Sequence, residues 1–161
     1  MKVVVGRPPV YDQIVELIGR PPSNAVFTWG DTLFIPSEGI RSQLDAALME
    51  HENTHTRQQA RAGGPEKWWE RYLHELAFRL EQEAEAYQRQ AAVVKVLGLP
   101  RHVRRNYERQ LARDLSGPLY GHLLTRQAAF ALITGRESLS TSIRNRRSRH
   151  GNELAAVHTA V

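Results

Sequence analysis

No cysteine occurs among the 161 residues. That excludes disulfides and thiolate metal sites, so any metal must be held by histidine and carboxylate. Long apolar runs are missing as well. None approaches the roughly 20 residues that span a bilayer, and no membrane partner is expected. The opening Met1-Lys2-Val3-Val4-Val5-Gly6 is too short for a signal-peptide core, and Arg7-Pro8-Pro9 interrupts it. With an ordinary apolar fraction of 41%, these absences predict a cytoplasmic globular protein. The length supports one domain with a sizeable core, and no internal repeat divides it.

What is present is mostly helical pattern. Residues 2–5 read as a short strand. Pro9 opens a helix with Val10, Ile14, Leu17 and Ile18 on one face, closed by Gly19. After a loop over 20–24, residues 25–29 and 32–35 flank a Gly30-Asp31 turn, the pattern of a β-hairpin. Ser37 is a candidate N-cap for a helix over about 38–61, stopped by Gly63-Gly64. Pro65 starts a second long helix that runs through Trp68, Trp69, Tyr72, Leu73, Leu76, Leu80 and Tyr87 to about residue 97. Two further helices are expected over 103–115 and 120–133, the last with Leu123, Leu124, Ala128 and Leu132 in the core. The expected fold class is α+β. A mostly helical domain over residues 1–135 carries a small β-hairpin or sheet beside the 38–61 helix, and residues 136–161 form a flexible basic tail around Arg144 to Arg149.

The 38–61 helix holds the stretch with the most chemistry, His51-Glu52-Asn53-Thr54-His55. Histidines four residues apart lie one above the other on a helix, and His-Glu-x-x-His is the spacing of a zinc site. Ile40, Leu44 and Leu48 mark an inward stripe that His51 and His55 continue. Two histidines on a buried stripe need polar partners, and one metal ion satisfies both. Glu52 points about 100° away around the axis. From there it reaches a water on the metal, not the metal itself, which suits a general base.

Such a site needs a third protein ligand, and the 65–97 helix supplies Glu81, Glu83 and Glu85. Leu73, Leu76, Leu80, Tyr87 and Ala91 form its main apolar face. Glu83 lies at the edge of that face and Glu81 farther toward the charged side. Glu83 is therefore the expected ligand, with Glu81 as runner-up and Glu85 turned to solvent. The Glu81 alternative would place Glu85 four residues on, as an acid that orients a histidine.

His51-Glu52-x-x-His55 followed by Glu83-x-x-Ala86-Tyr87 resembles the short gluzincin-type zinc metallopeptidases, including small phage-encoded and bacterial proteins. Gln58-Gln59 and Trp68-Trp69-Glu70-Arg71-Tyr72-Leu73 add to the likeness, which covers residues 28 to about 90. The resemblance implies a zincin-like fold with Zn2+ held by His51, His55 and a glutamate of the next helix, and Glu52 as general base. It also implies a strand that receives an extended peptide by strand addition, from Phe27 to Trp29 or from Leu33 to Ile35. For a phage-encoded protein the compartment would be the host cytoplasm.

The expected function is thus zinc-dependent hydrolysis of a peptide or protein substrate. Polar Asn53 and Thr54, where such helices are usually apolar, support an alternative: a catalytically inactive zincin-like protein that binds metal or a partner. A third reading is a nucleic-acid-associated protein acting through the basic tail. A net charge of +5 concentrated partly in that tail is weak support for a nucleic-acid partner. Trp68, Trp69 and Tyr72 read as core packing more than as a substrate platform. Tyr107, Tyr120 and His122 are candidate donors to an oxyanion. The sequence names neither the substrate nor the oligomeric state.

Overall fold

A computed structural model describes residues 1–41 and 45–142. Its elements follow one another as β1 (Lys2–Val5), α1 (Tyr11–Leu17), β2 (Phe27–Trp29), β3 (Thr32–Ile35), α2 (Glu38–Arg41), α3 (Ala46–Arg61), α4 (Pro65–His74), α5 (Leu76–Val96), α6 (Arg101–Leu115) and α7 (Arg126–Ile133). The fold is a mostly helical α+β domain with a three-stranded sheet. The strand order is β1-β3-β2. β2 and β3 are antiparallel, with Thr28 opposite Leu33, and Gly30 takes the left-handed φ of 60° that their two-residue turn requires. β1 lies parallel to β3, Lys2 opposite Thr32. The crossover through α1 makes that pairing sterically open.

Two apolar clusters carry the packing. Leu80, Ala84, Leu115, Leu124, Ala129 and Leu132 join α5, α6 and α7. Val10, Ile14, Trp68, Trp69, Tyr72 and Phe78 join α1 to α4 and the start of α5. Trp68, Trp69 and Tyr72 are therefore core residues, with Trp68 and Tyr72 stacked at 4.7 Å. Leu139 packs against the first cluster and Ser142 is buried, so the packed body extends beyond the boundary expected at 135. The basic stretch from Arg144 to Arg149 lies outside the described residues.

Three expected helices differ from those observed. The 38–61 segment is two elements, α2 and α3. Asp45, not Ser37, caps the histidine helix, its carboxylate accepting the Leu48 N–H at 2.7 Å. Of the expected stripe, Ile40 and Leu48 are only half-buried and Leu44 lies outside the described residues; the buried apolar residue of α3 is Ala47, which the stripe did not include. The 65–97 helix is broken at Glu75, which adopts an extended φ of −109° and ψ of 97°. The buried Arg79 guanidinium makes the break tolerable by donating to the carbonyls of Tyr72 and Leu73, both at 2.8 Å, and of Leu119 at 3.0 Å. The last helix starts at Arg126, capped by the Thr125 hydroxyl. A 3-10 turn at Pro118–Tyr120 precedes it, and left-handed Gly121 and His122 end that turn.

α3 lies between the sheet and α5. Gln59, fully buried, joins it to the hairpin: its Nε2 donates to the Thr28 carbonyl at 2.9 Å and its Oε1 accepts the Gly30 N–H at 2.6 Å. Removing a buried amide that meets two backbone groups leaves at least one of them unsatisfied. Gln59→Ala should therefore lower stability by about 1–3 kcal/mol, read as a reduced urea midpoint with unchanged slope. A midpoint within error of the parent would show that this anchor does not hold the hairpin.

Candidate metal centre

The inner face of α3 is unusual because it is polar. His51, Glu52, Thr54, His55, Gln58 and Gln59 are all buried, with Ala47 the one buried apolar side chain of the helix. Buried polar groups must be partnered. Here every fully buried side-chain nitrogen and oxygen of the described residues has a hydrogen bond. The Thr54 hydroxyl donates to the Glu50 carbonyl one turn back at 2.8 Å, and the Thr28 hydroxyl donates to Glu52 Oε2 at 2.7 Å.

At the centre of this face His51 Nε2 and His55 Nε2 are 3.0 Å apart. Glu83, on α5, brings Oε2 to 3.5 Å from His51 Nε2 and Oε1 to 3.6 Å from His55 Nε2. One ligand atom from each residue lies within 4.8 Å of the others, and all three residues are buried. Glu81 is exposed. Glu85 is half-buried, not turned wholly to solvent, and bonds Gln58 Nε2 at 3.0 Å and Arg61 at 2.7 Å.

The hydrogen bonds behind the rings decide what the facing nitrogens carry. Gln58 Nε2 points at two groups that only accept, the Gln82 carbonyl at 2.8 Å and the Glu85 carboxylate at 3.0 Å. That end of the amide must be the NH2 group. Gln58 Oε1 therefore faces His55 Nδ1 at 2.8 Å, and Nδ1 must donate. A neutral His55 then presents a bare lone pair at Nε2. His51 is held in the same sense: Nδ1 meets Gln90 Oε1 at 3.0 Å, and Gln90 Nε2 donates to the Tyr107 hydroxyl at 2.8 Å. Two lone pairs at 3.0 Å beside a carboxylate repel one another unless a cation or a proton sits among them. The three residues thus form a group that can hold a metal ion, with its second layer of hydrogen bonds in place.

The electrostatics agree. Burial alone would lift Glu83, but His55 and His51 beside it and the Tyr72 hydroxyl, which donates to Oε1 at 2.6 Å, bring its pKa down to about 2. Burial alone would lower His51, yet its hydrogen bond and charge contact with Glu83 raise it above the ordinary value. Without a metal, a proton shared between the two Nε2 atoms would fill the gap. Tyr72, Tyr87 and Tyr120 are all pushed upward, first by burial and then by the Glu83 charge, so they stay protonated donors.

His51, Glu52, His55 and Glu83 form part of the wall of one cleft of about 1080 Å³. Phe27, Tyr87, Leu119, Tyr120 and His122 line it too. The Tyr87 and His51 rings meet edge to face at 4.8 Å between centroids. Tyr107 stands behind His51 through Gln90 and does not line the cleft, so of the three oxyanion candidates only Tyr120 and His122 face it. The strand expectation also needs correction. β3 is paired on both sides, so Leu33 to Ile35 cannot receive a peptide. β2 is an edge, but its Thr28 carbonyl already accepts from Gln59 Nε2 and from Trp69 Nε1 at 3.1 Å.

Comparison with protein-family models, curated proteins and solved structures gives no match. Sequence reasoning missed Gln58 and Gln90 as supports of the histidines, Thr28 as the partner of Glu52, and Tyr72 as a donor to Glu83. Two had a usable signal. Gln58 follows His55 by three residues on one helix, and Gln90 follows Glu83 by seven, two turns along the same face.

Two outcomes follow from this geometry. In a metal-titration assay Glu83→Ala should abolish binding, Glu81→Ala should leave it intact, and Glu85→Ala should weaken it about 10-fold by releasing Gln58; loss in Glu81→Ala with retention in Glu83→Ala would reverse the ligand assignment. The second outcome concerns pH. Glu83, with its lowered pKa, contributes stability that is present above about pH 4.5 and lost as pH falls toward 2. His51, with its raised pKa, contributes stability that is present below about pH 6.5 and lost as pH rises through its folded value. Metal-free protein should therefore be most stable between these limits. Metal should take the place of the proton, so calorimetry at pH 6 in buffers of different ionisation heat should show proton release on binding; binding without proton release would contradict the proton-filled gap.

Proposed function

We propose that the protein is a zinc-dependent hydrolase of peptide bonds, with His51, His55 and Glu83 as the zinc ligands and Glu52 as the general base. The observation that carries the reading is the convergence of two Nε2 lone pairs and a buried carboxylate on one wall of a large cleft, with Glu52 on the same wall. A set of two imidazoles and one carboxylate is chemically suited to zinc, and three protein ligands leave a position open. Bound there, zinc would polarise the scissile carbonyl and bring the pKa of a water near neutrality.

The chain's own groups account for the rest. Glu52 is held by the Thr28 hydroxyl at Oε2, which leaves Oε1 to take a proton from the attacking water and pass it to the leaving amine. Its distance from the ligand set is short enough for its charge to act on His51. Tyr120 and Tyr87, both protonated hydroxyls lining the cleft, are able to donate to a developing oxyanion. His122 Nδ1 donates to the Ser116 carbonyl at 2.9 Å, which leaves Nε2 of the neutral ring an acceptor and not a donor to an oxyanion.

A non-catalytic metal-binding reading is favoured by one observation, the Thr28 carbonyl on β2 that is already bonded to Gln59 and Trp69. A peptide cannot pair with the edge there without displacing them. Glu52→Gln separates the two readings. In a zinc-loaded hydrolytic protein it should keep metal stoichiometry and melting temperature but lower turnover of a mixed peptide substrate by about 100-fold or more. Wild-type protein that is fully zinc-loaded and cleaves nothing in a broad peptide library favours the non-catalytic reading, and an active wild type with an equally active Glu52→Gln removes Glu52 from the mechanism.

A further inference from the structure

The corner between α5 and α6 is built unlike the rest of the surface. Val96 is 80% exposed, Leu97 51% and Leu99 36%. These three side chains fall within four consecutive residues, on a turn that Gly98 closes with a left-handed φ of 66°. Helix C-termini often place one apolar residue after such a glycine against the preceding turn. That accounts for Leu99 but not for Val96, the most exposed large apolar residue described. Val103, at the start of α6, adds a further 39% exposed side chain.

Cations collar this apolar tip. Lys95 precedes it and Arg101, Arg104 and Arg105 follow it. All four line a groove of about 630 Å³ that Arg136 joins from beyond α7. Arg101 and Arg105 also line an adjacent surface hollow with His102 and Arg109. The groove's acid, Glu108, pairs with Arg104 at 3.7 Å. Among the described residues no carboxylate pairs with Lys95, Arg101, Arg105 or Arg136.

We propose that this corner is a peripheral membrane-binding site for anionic lipid, with Val96, Leu97 and Leu99 entering the headgroup–acyl boundary and the cations engaging lipid phosphates. Aliphatic side chains at an outermost turn, backed by lysine and arginine, match the two forces that hold a protein at such a surface. No spanning helix is needed, and none is long and apolar enough among the described residues. A nucleic acid is the weaker match. The tip carries no aromatic ring for a base to stack on, and Tyr107 of α6 is tied inward to Gln90. A second copy of the chain would bring the same cations face to face. The chain's own stretch from Arg144 to Arg149 carries the same sign, so charge opposes it as a cover.

Vesicle co-sedimentation of the full chain tests the proposal. The probes are phosphatidylcholine vesicles, and vesicles with about a third of the lipid replaced by phosphatidylglycerol. The protein should sediment with the anionic vesicles and remain in solution with the neutral ones. Val96→Ser/Leu97→Ser should weaken binding about 10-fold or more through lost insertion, and Arg101→Gln/Arg105→Gln similarly through lost charge. Circular dichroism melts of both variants should match the parent, because Val96, Leu97 and Arg101 are exposed and half-buried Arg105 is in no ion pair among the described residues. A labelled DNA duplex at the same ionic strength supplies the competing outcome. Absence of vesicle binding, equal binding to both vesicle types, binding indifferent to the two tip substitutions, or DNA binding without vesicle binding would each overturn the proposal.

Discussion

His51 Nε2 and His55 Nε2 face each other at 3.0 Å with Glu83 alongside, and the protein's interior is arranged to keep them there. Left alone, two lone pairs and a carboxylate in a buried site are electrostatically unfavourable. The surrounding hydrogen bonds fix the ring orientations, so relief must come from a cation or a proton at the centre. Gln58 and Gln90 accept from Nδ1 of His55 and His51, Tyr72 donates to Glu83, and α3 and α5 are fixed against each other by Gln58 donating to the Gln82 carbonyl. Preorganisation of this kind favours whatever cation fills the centre, because little reorganisation is left for the moment of binding.

The break at Glu75 belongs to the same constraint. It divides one apolar pattern into α4 and α5, whose rings pack over the site: Trp68 lies 5.3 Å from the His55 ring and donates its indole N–H to Gln82 at 2.9 Å. Tyr72 can meet Glu83 from α4 because the chain turns between them. Arg79 satisfies the carbonyls that the turn exposes. A buried arginine is costly unless its charge finds close partners, and here it also lies 5.4 Å from the Tyr72 ring.

What could be read in the sequence was the local part. His51 and His55 at four-residue spacing must share a helix face, whatever the tertiary fold. Glu83 was readable because a carboxylate at the margin of an apolar stripe implies a partner. The mostly helical α+β class followed from one short hairpin among long helical patterns. The rest depended on contacts between elements. Leu73, Leu76 and Leu80 keep their spacing across Glu75, so no local signal marks the break. The cap at Asp45 was hidden because Ser37 is an equally good cap a few residues earlier. The inner face of α3 shows no apolar stripe beyond Ala47, since its buried residues are satisfied by Thr28, Gln82, Gln90 and one another. Thr28 and Tyr72 join the site from elements 24 and 11 residues away from their partners, a distance at which spacing carries no information.

X-ray absorption at the zinc edge of protein loaded with one equivalent of zinc tests the central claim most directly. The account predicts a shell of nitrogen and oxygen at about 2.0–2.2 Å, with the outer-shell scattering of two imidazoles and no sulfur. Scattering from fewer than two imidazoles, or protein that takes up no zinc from excess metal, would contradict it.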